Sequence, residues 1–136
     1  MKIFLDTNVI LDVLIKREPF YIDSSKVLTL VNEKIVSGYI SAITINNIYY
    51  ILRKLKDKET AKNFITEILE SFEIISLTKD ILSQANKISI NDYEDGIQFF
   101  SALDCGCDFL ITRNDKDYPK LGIKIITPIE FISMDS

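Results

Sequence analysis

A chain of 136 residues that is 47% hydrophobic and 26% charged has the size and balance of one compact domain with a continuous core, not of a disordered segment. It contains no histidine, which excludes Ser-His-Asp and Cys-His catalysis and every site built on imidazole. Without imidazole any chemistry rests on carboxylates, amides, hydroxyls, Lys and Arg, with a hard metal ion as their natural companion, while the net charge of −4 argues against binding nucleic acid by bulk charge.

The chain opens on Ile3-Phe4-Leu5, a short apolar run fit for a buried parallel strand. Asp6 interrupts the N-terminus too early for a signal peptide, and no apolar run approaches the roughly 18 residues that span a bilayer. A cytoplasmic protein is expected. Helices are predicted over 8–15, broken near Pro19, and over 20–36, where Val27, Leu28, Leu30 and Val31 share a side and Gly38 ends the run. A second strand follows at 39–42. Thr44 is placed to cap the next helix, which carries Ile48, Tyr49, Ile51, Leu52 and Leu55 at helical spacing. A helix over 59–72 repeats that pattern, and 73–76 is a third strand. Helices over 79–88 and 94–106, strands over 109–112 and 124–126, and a brief helix from Pro128 complete the chain. Cys105 and Cys107, separated by Gly106, are too close for an ordinary disulfide and too few for zinc, and read as small core-facing residues.

Strands separated by helices imply βαβ units, hence a three-layer α/β/α sandwich around a mainly parallel five-stranded sheet in a single domain over 1–136. Ligands of such sheets bind outside the carboxyl ends of the strands. Asp6 directly follows the first strand, and Asn114, Asp115 and Asp117 follow the fourth. Both groups are therefore expected at one edge.

Three motifs carry chemistry. In Leu5-Asp6-Thr7-Asn8-Val9-Ile10-Leu11-Asp12, an acid ends a buried strand and points at that edge; Asp6 and Asn8 also suit plain helix capping, and Asp12 is expected to face solvent. In Asn91-Asp92-Tyr93-Glu94-Asp95-Gly96, three acids crowd a helix start, where negative charge is favoured. Asp92 reads as the N-cap with Asp95 in a capping-box-like position, and Glu94 reads first as helix-start charge; Gly96 permits close approach beside Asp95. Leu110-Ile111-Thr112-Arg113-Asn114-Asp115-Lys116-Asp117-Tyr118-Pro119 is richer in acids and amides than a turn requires.

In this order and spacing the motifs resemble those of the PIN-domain nucleases, particularly the VapC-type toxins, over nearly the whole chain. The resemblance implies that Asp6, Asp95 and Asp117 are ligands of Mg²⁺ or Mn²⁺. It also implies that Thr112-Arg113-Asn114-Asp115-Lys116-Asp117-Tyr118 is the family's closing signature, with Tyr118 in place of Phe. One position departs from it: Asn47, in Thr44-Ile45-Asn46-Asn47-Ile48, stands where members usually carry Glu. An amide oxygen can still ligate a hard cation, but it brings no charge. Metal-dependent hydrolysis of RNA is the expected activity, with Asn47 and Asn114 orienting water or phosphate, and Arg113, Thr112 and Asn8 on the substrate side. The family further implies a homodimer and a small antitoxin partner.

Two other readings share these residues. A strand ending in Asp-x-Asn is close to the nucleophile motif of haloacid-dehalogenase-type phosphatases, which would form an acyl phosphate on Asp6. A PIN domain weakened at Asn47 would serve as an RNA-binding or protein-interaction module. The basic cluster Arg53, Lys54, Lys56 and Lys58 reads as solvated surface.

Overall fold

The computed structural model describes residues 1–90 and 92–134, so Asn91 of the second motif lies outside it. Its strands are β1 (Lys2–Leu5), β2 (Ser37–Ser41), β3 (Phe72–Ile75), β4 (Phe109–Ile111) and β5 (Lys124–Ile126). Its helices are α1 (Thr7–Leu14), α2 (Tyr21–Asn32), α3 (Ala42–Leu55), α4 (Lys58–Ser71), α5 (Lys79–Lys87), α6 (Tyr93–Asp104) and α7 (Pro128–Ser133). All described strand pairs are parallel, in the order β3-β2-β1-β4-β5. The expected α/β/α sandwich is therefore the observed one.

Strand side chains alternate between two cores, as a period of two requires. Ile3, Leu5, Ile40, Phe109 and Ile111 join Val9, Val27, Val31, Ile48, Leu52, Ala61 and Ile68, so α1 to α4 cover one face. Phe4 and Leu110 point the other way, onto Phe99, Ala102 and Tyr118. Ile81, Ala85 and Ile97 extend that second layer between α5 and α6. Two glycines are required by geometry. A Cβ on Gly38 would lie 2.7 Å from Val31 Cγ1 and 2.8 Å from Phe72 Cδ2, so its absence lets β2 sit under α2. Gly106, at φ 66°, turns the chain after α6 and ends the helix two residues short of the predicted boundary.

Side-chain oxygens start most helices. Asp6, Ser41, Asp57, Thr78 and Asp92 accept hydrogen bonds from the first turns of α1, α3, α4, α5 and α6. Thr127 and Glu130 close a full capping box on α7, with Pro128 as its first residue. Ser41 thus displaces Thr44 from its predicted role, because the helix begins three residues earlier. Thr44 is buried instead, its hydroxyl 2.7 Å from that of Thr7. Gly96 makes its close approach to helix α5, where an added Cβ would stand 3.3 Å from Ala85 Cβ. Cys107 is buried and Cys105 half-buried, and both are free thiols.

Asp12 corrects a second expectation. It is 0% exposed, with Arg113 donating to both carboxylate oxygens at 2.8 and 3.3 Å and Arg17 at 3.2 Å. The Arg113 guanidinium also lies 4.3 Å from the centre of the Phe20 ring. Helical spacing left Asp12 free to face either way, and two cations from the loops decided it. Removing one partner of a buried pair strands the others, so Asp12→Ala should lower stability by about 3 kcal/mol. Urea unfolding checks this, and a change under about 0.5 kcal/mol would mean the pair behaves as an exposed one.

Candidate active site

Strands β1 and β4 are neighbours at the centre of the sheet, and their carboxyl ends set the site. Asp6 N donates to the Ile111 carbonyl at 3.0 Å, continuing the ladder one residue beyond β1. This brings the Asp6 side chain beside Thr112, whose hydroxyl donates to Asp6 Oδ2 at 2.7 Å. Asp6 Oδ1 accepts from Asn8 N at 3.4 Å, the capping contact of α1. Asp6 is 1% exposed, and burial raises its carboxyl above the ordinary range despite these bonds.

Helix α6 delivers the other acids. Asp92 caps it by accepting from Glu94 N at 2.9 Å, as predicted. Asp95 does not complete a capping box. It accepts from the hydroxyl of buried Tyr118 at 3.2 Å. Burial first, then the charges of Asp6 and Asp92, push its carboxyl up to about 7. Glu94 is held by two amides: Asn47 Nδ2 donates to Oε1 at 2.7 Å and Gln98 Nε2 to Oε2 at 3.3 Å. Its carboxyl is raised by burial and then by Asp6 and Asp92. Gln98, itself 1% exposed, accepts from Thr7 N at 3.0 Å and so ties α6 to the first turn of α1.

These residues line a cleft of about 330 Å³. Its floor is Asp6, Thr7 and Asn8; α6 and its cap add Asp92, Glu94 and Asp95; α1 and α3 add Leu11, Asn47, Tyr50 and Ile51. No Lys or Arg is among these lining residues. The cleft lies at the carboxyl end of β1, where the strand order reverses between β1 and β4, the usual ligand position in such folds.

The predicted residues divide as follows. Asp6, Asn8, Asn47 and Asp95 meet in the cleft, and Thr112 supports Asp6 from below. Asn114 and Asp117 are exposed on the loop after β4, where Asp115–Asp117 form a 3₁₀ turn, and neither lines the cleft. Among the described residues no three acidic or sulfur side chains stand as a ready-made metal cluster, so the trio Asp6, Asp95 and Asp117 is not compact here. Arg113 spends two nitrogens on Asp12, and its charge reaches Asp6 only weakly. Sequence reasoning gave no site role to Glu94, read as helix-start charge, to Tyr118, read only as a signature position, or to Gln98. The signal for Glu94 was its place beside Asp95, which an ordinary helix start explains equally well.

Together these features define a class: a doubly wound α/β domain whose carboxylates meet at the carboxyl edge of its central strands. Residues 2–116 match the model of the PIN domain family, and the chain belongs to that family. It is 30% identical over 135 residues to ribonuclease VapC1 of Aquifex aeolicus (strain VF5), covering 96% of this chain and 92% of that protein. Among solved structures it resembles VapBC2 from Rickettsia felis bound to a promoter DNA fragment, with a TM-score of 0.70 and 20% identity over 93% of this chain and 98% of that one. VapBC from Salmonella typhimurium bound to DNA matches at a TM-score of 0.69 and 19% identity, over 94% and 98% of the two chains.

The raised carboxyls fix a pH dependence. An unfolded Asp95 loses its proton near the ordinary value of 3.8, and the folded one near 7. Between those values the folded chain holds a proton the unfolded chain has lost, so stability falls as pH rises. Melts in EDTA should show a falling Tm from about pH 4 to about pH 7, and Asp95→Asn should flatten that slope and gain roughly 2–6 °C at the upper end. A wild-type Tm that rises or stays level over this span contradicts the crowded-carboxylate picture.

Proposed function

We propose that this chain is a Mg²⁺- or Mn²⁺-dependent endoribonuclease that hydrolyses RNA phosphodiester bonds, as the toxin of a toxin–antitoxin pair. The observation that carries the reading is the cleft itself, which Asp6, Glu94 and Asp95 line with neutral partners and no cationic side chain. Hard oxygen donors crowded against their own repulsion fit a hard divalent ion. Such an ion supplies a stronger nucleophile from water and relief of charge on the phosphoryl oxygens.

In this reading Asp6 and Asp95 are ligands, and Glu94 brings from α6 the charge that Asn47 lacks. Thr112 and Tyr118 fix the carboxylates of Asp6 and Asp95, and Gln98 fixes Glu94. Asp117 acts from the loop after β4, and Asn8, Asn47 and Asn114 orient water or phosphate. Arg113 contributes potential more than contact, because Asp12 occupies its guanidinium. An antitoxin partner is supported by the solved complexes this fold resembles. An apolar groove of about 560 Å³ bordered by exposed Met1, Ile35 and Met134 offers surface for a protein contact, with the antitoxin or in a homodimer. No helix of the described residues is long and apolar enough to cross a membrane, which suits the cytoplasmic setting of such a toxin.

Cleavage of structured RNA should require Mg²⁺ or Mn²⁺ and stop in EDTA. Asp6→Asn and Asp95→Asn should each lower it by at least the roughly 10–100-fold that an outer partner of a metal ligand contributes. RNA that is bound but left intact under all metal conditions would favour the non-catalytic module instead. Calorimetry with Mn²⁺ tests Glu94 separately: Glu94→Gln should weaken binding about tenfold or more. An unchanged isotherm would return Glu94 to a plain helix-start charge.

A further inference from the structure

We propose that Tyr50 is the base-stacking platform of this cleft, taking one unstacked nucleobase of single-stranded RNA beside the scissile phosphate. The proposal rests on the ribonuclease reading and names the substrate feature that the same site selects. Asn47, Tyr50 and Ile51 lie three and four residues apart on α3, so they share one helix face, and all three line the cleft. Ile48 and Leu52 of the same helix are 0% exposed and hold it to the core. Tyr50 is 58% exposed. Single exposed apolar residues are common on any surface and mean little by themselves. Two features distinguish this one.

The first is its bracing. The ring of Tyr50 meets that of Tyr49 edge to face, with centroids 5.3 Å apart and planes at 84°, and Tyr49 packs against the main core. A ring held this way loses little freedom when a base arrives. The second is the division of the cleft. Asp6, Glu94 and Asp95 form a carboxylate side that suits a metal-neutralised phosphate, while Leu11, Tyr50 and Ile51 form an apolar side that an ion cannot use. A nucleotide has the same division, a charged phosphate joined to an uncharged aromatic base. A base within a duplex is already stacked, so the fit is to a loop, bulge or end. Stacking on tyrosine accepts every base, with preference following ring area.

The test uses the full chain and a short single-stranded RNA carrying 2-aminopurine, whose fluorescence is quenched on stacking. Binding is titrated in Ca²⁺, a hard cation that neutralises the carboxylates and supports such hydrolysis poorly, and cleavage is followed in Mn²⁺. Tyr50→Ala should weaken binding roughly 10- to 100-fold and reduce the quench, while Tyr50→Phe stays within about twofold of wild type. Cleavage by Tyr50→Ala should show a raised KM with kcat little changed, the signature of lost uniform binding. Equal affinity of wild type and Tyr50→Ala, or a Tyr50→Phe as weak as the alanine variant, overturns the platform. So does a Tyr50→Ala that binds RNA normally but sediments as a different oligomer, which would make Tyr50 a contact for a second copy. Stacking through Tyr50 without any cleavage would sink the ribonuclease reading and leave the platform standing. A wild-type chain that neither binds nor cleaves overturns both.

Discussion

The hydroxyl of Thr112 on the carboxylate of Asp6, at 2.7 Å, is the contact around which the rest of the molecule is arranged. It exists because β1 and β4 lie side by side in parallel, and because a polar residue directly follows each. A carboxylate that is 1% exposed would ordinarily be paired with a cation. Here its partners are a hydroxyl and a backbone N–H, which satisfy hydrogen bonds without cancelling charge. The pattern repeats outward, with a phenol on Asp95 and two amides on Glu94. Three carboxylates are thus oriented but not neutralised, and the raised carboxyls follow from that.

Twelve residues from the N-terminus, the same chain solves the opposite problem in the opposite way. Asp12 is as buried as Asp6, yet it takes Arg113 and Arg17. The cations are therefore present close to the site but committed to a structural pair. That arrangement pins the loop after β4 to α1 and α2 while leaving the cleft negative. Two aspartates six residues apart on one segment do different work because of what the neighbouring loops bring to each.

Much of the fold could be read from the sequence because its signals are local. Ile3-Phe4-Leu5, Ile40 and Leu110 announce buried strands, and Asp92, Thr78 and Pro128 announce helix starts. Asp6 and Asp95 were legible as candidates for the cleft because strand ends and helix starts converge in a parallel sheet, whereas Asn47 stood out only through the resemblance to PIN-domain nucleases. What remained hidden depended on distant partners. Glu94 looked like a helix-start charge until Asn47, 47 residues away in sequence, was seen to hold it. Asp12 looked exposed because its partner lies 101 residues downstream. Thr44 lost its capping role to Ser41 since either residue type serves, and only the burial of Thr44 against Thr7 separates them.

The separation between Asp6 and its hydroxyl partner is 106 residues, nearly the length of the chain. Pairing β1 with β4 closes that whole loop, a contact of high sequence separation whose entropy must be met before its bonds form. During synthesis the first acid emerges almost at once, but the strand that aligns it is among the last to appear. Helices α1 to α4 can gather on β1 to β3 well before then. Until β4 docks, Asp6 lacks both the hydroxyl of Thr112 and the ladder bond to the Ile111 carbonyl. The order of the chain therefore lets the acidic site be completed only after α1 to α6 have been made, and a chain interrupted before Thr112 would carry the aspartate without its partner.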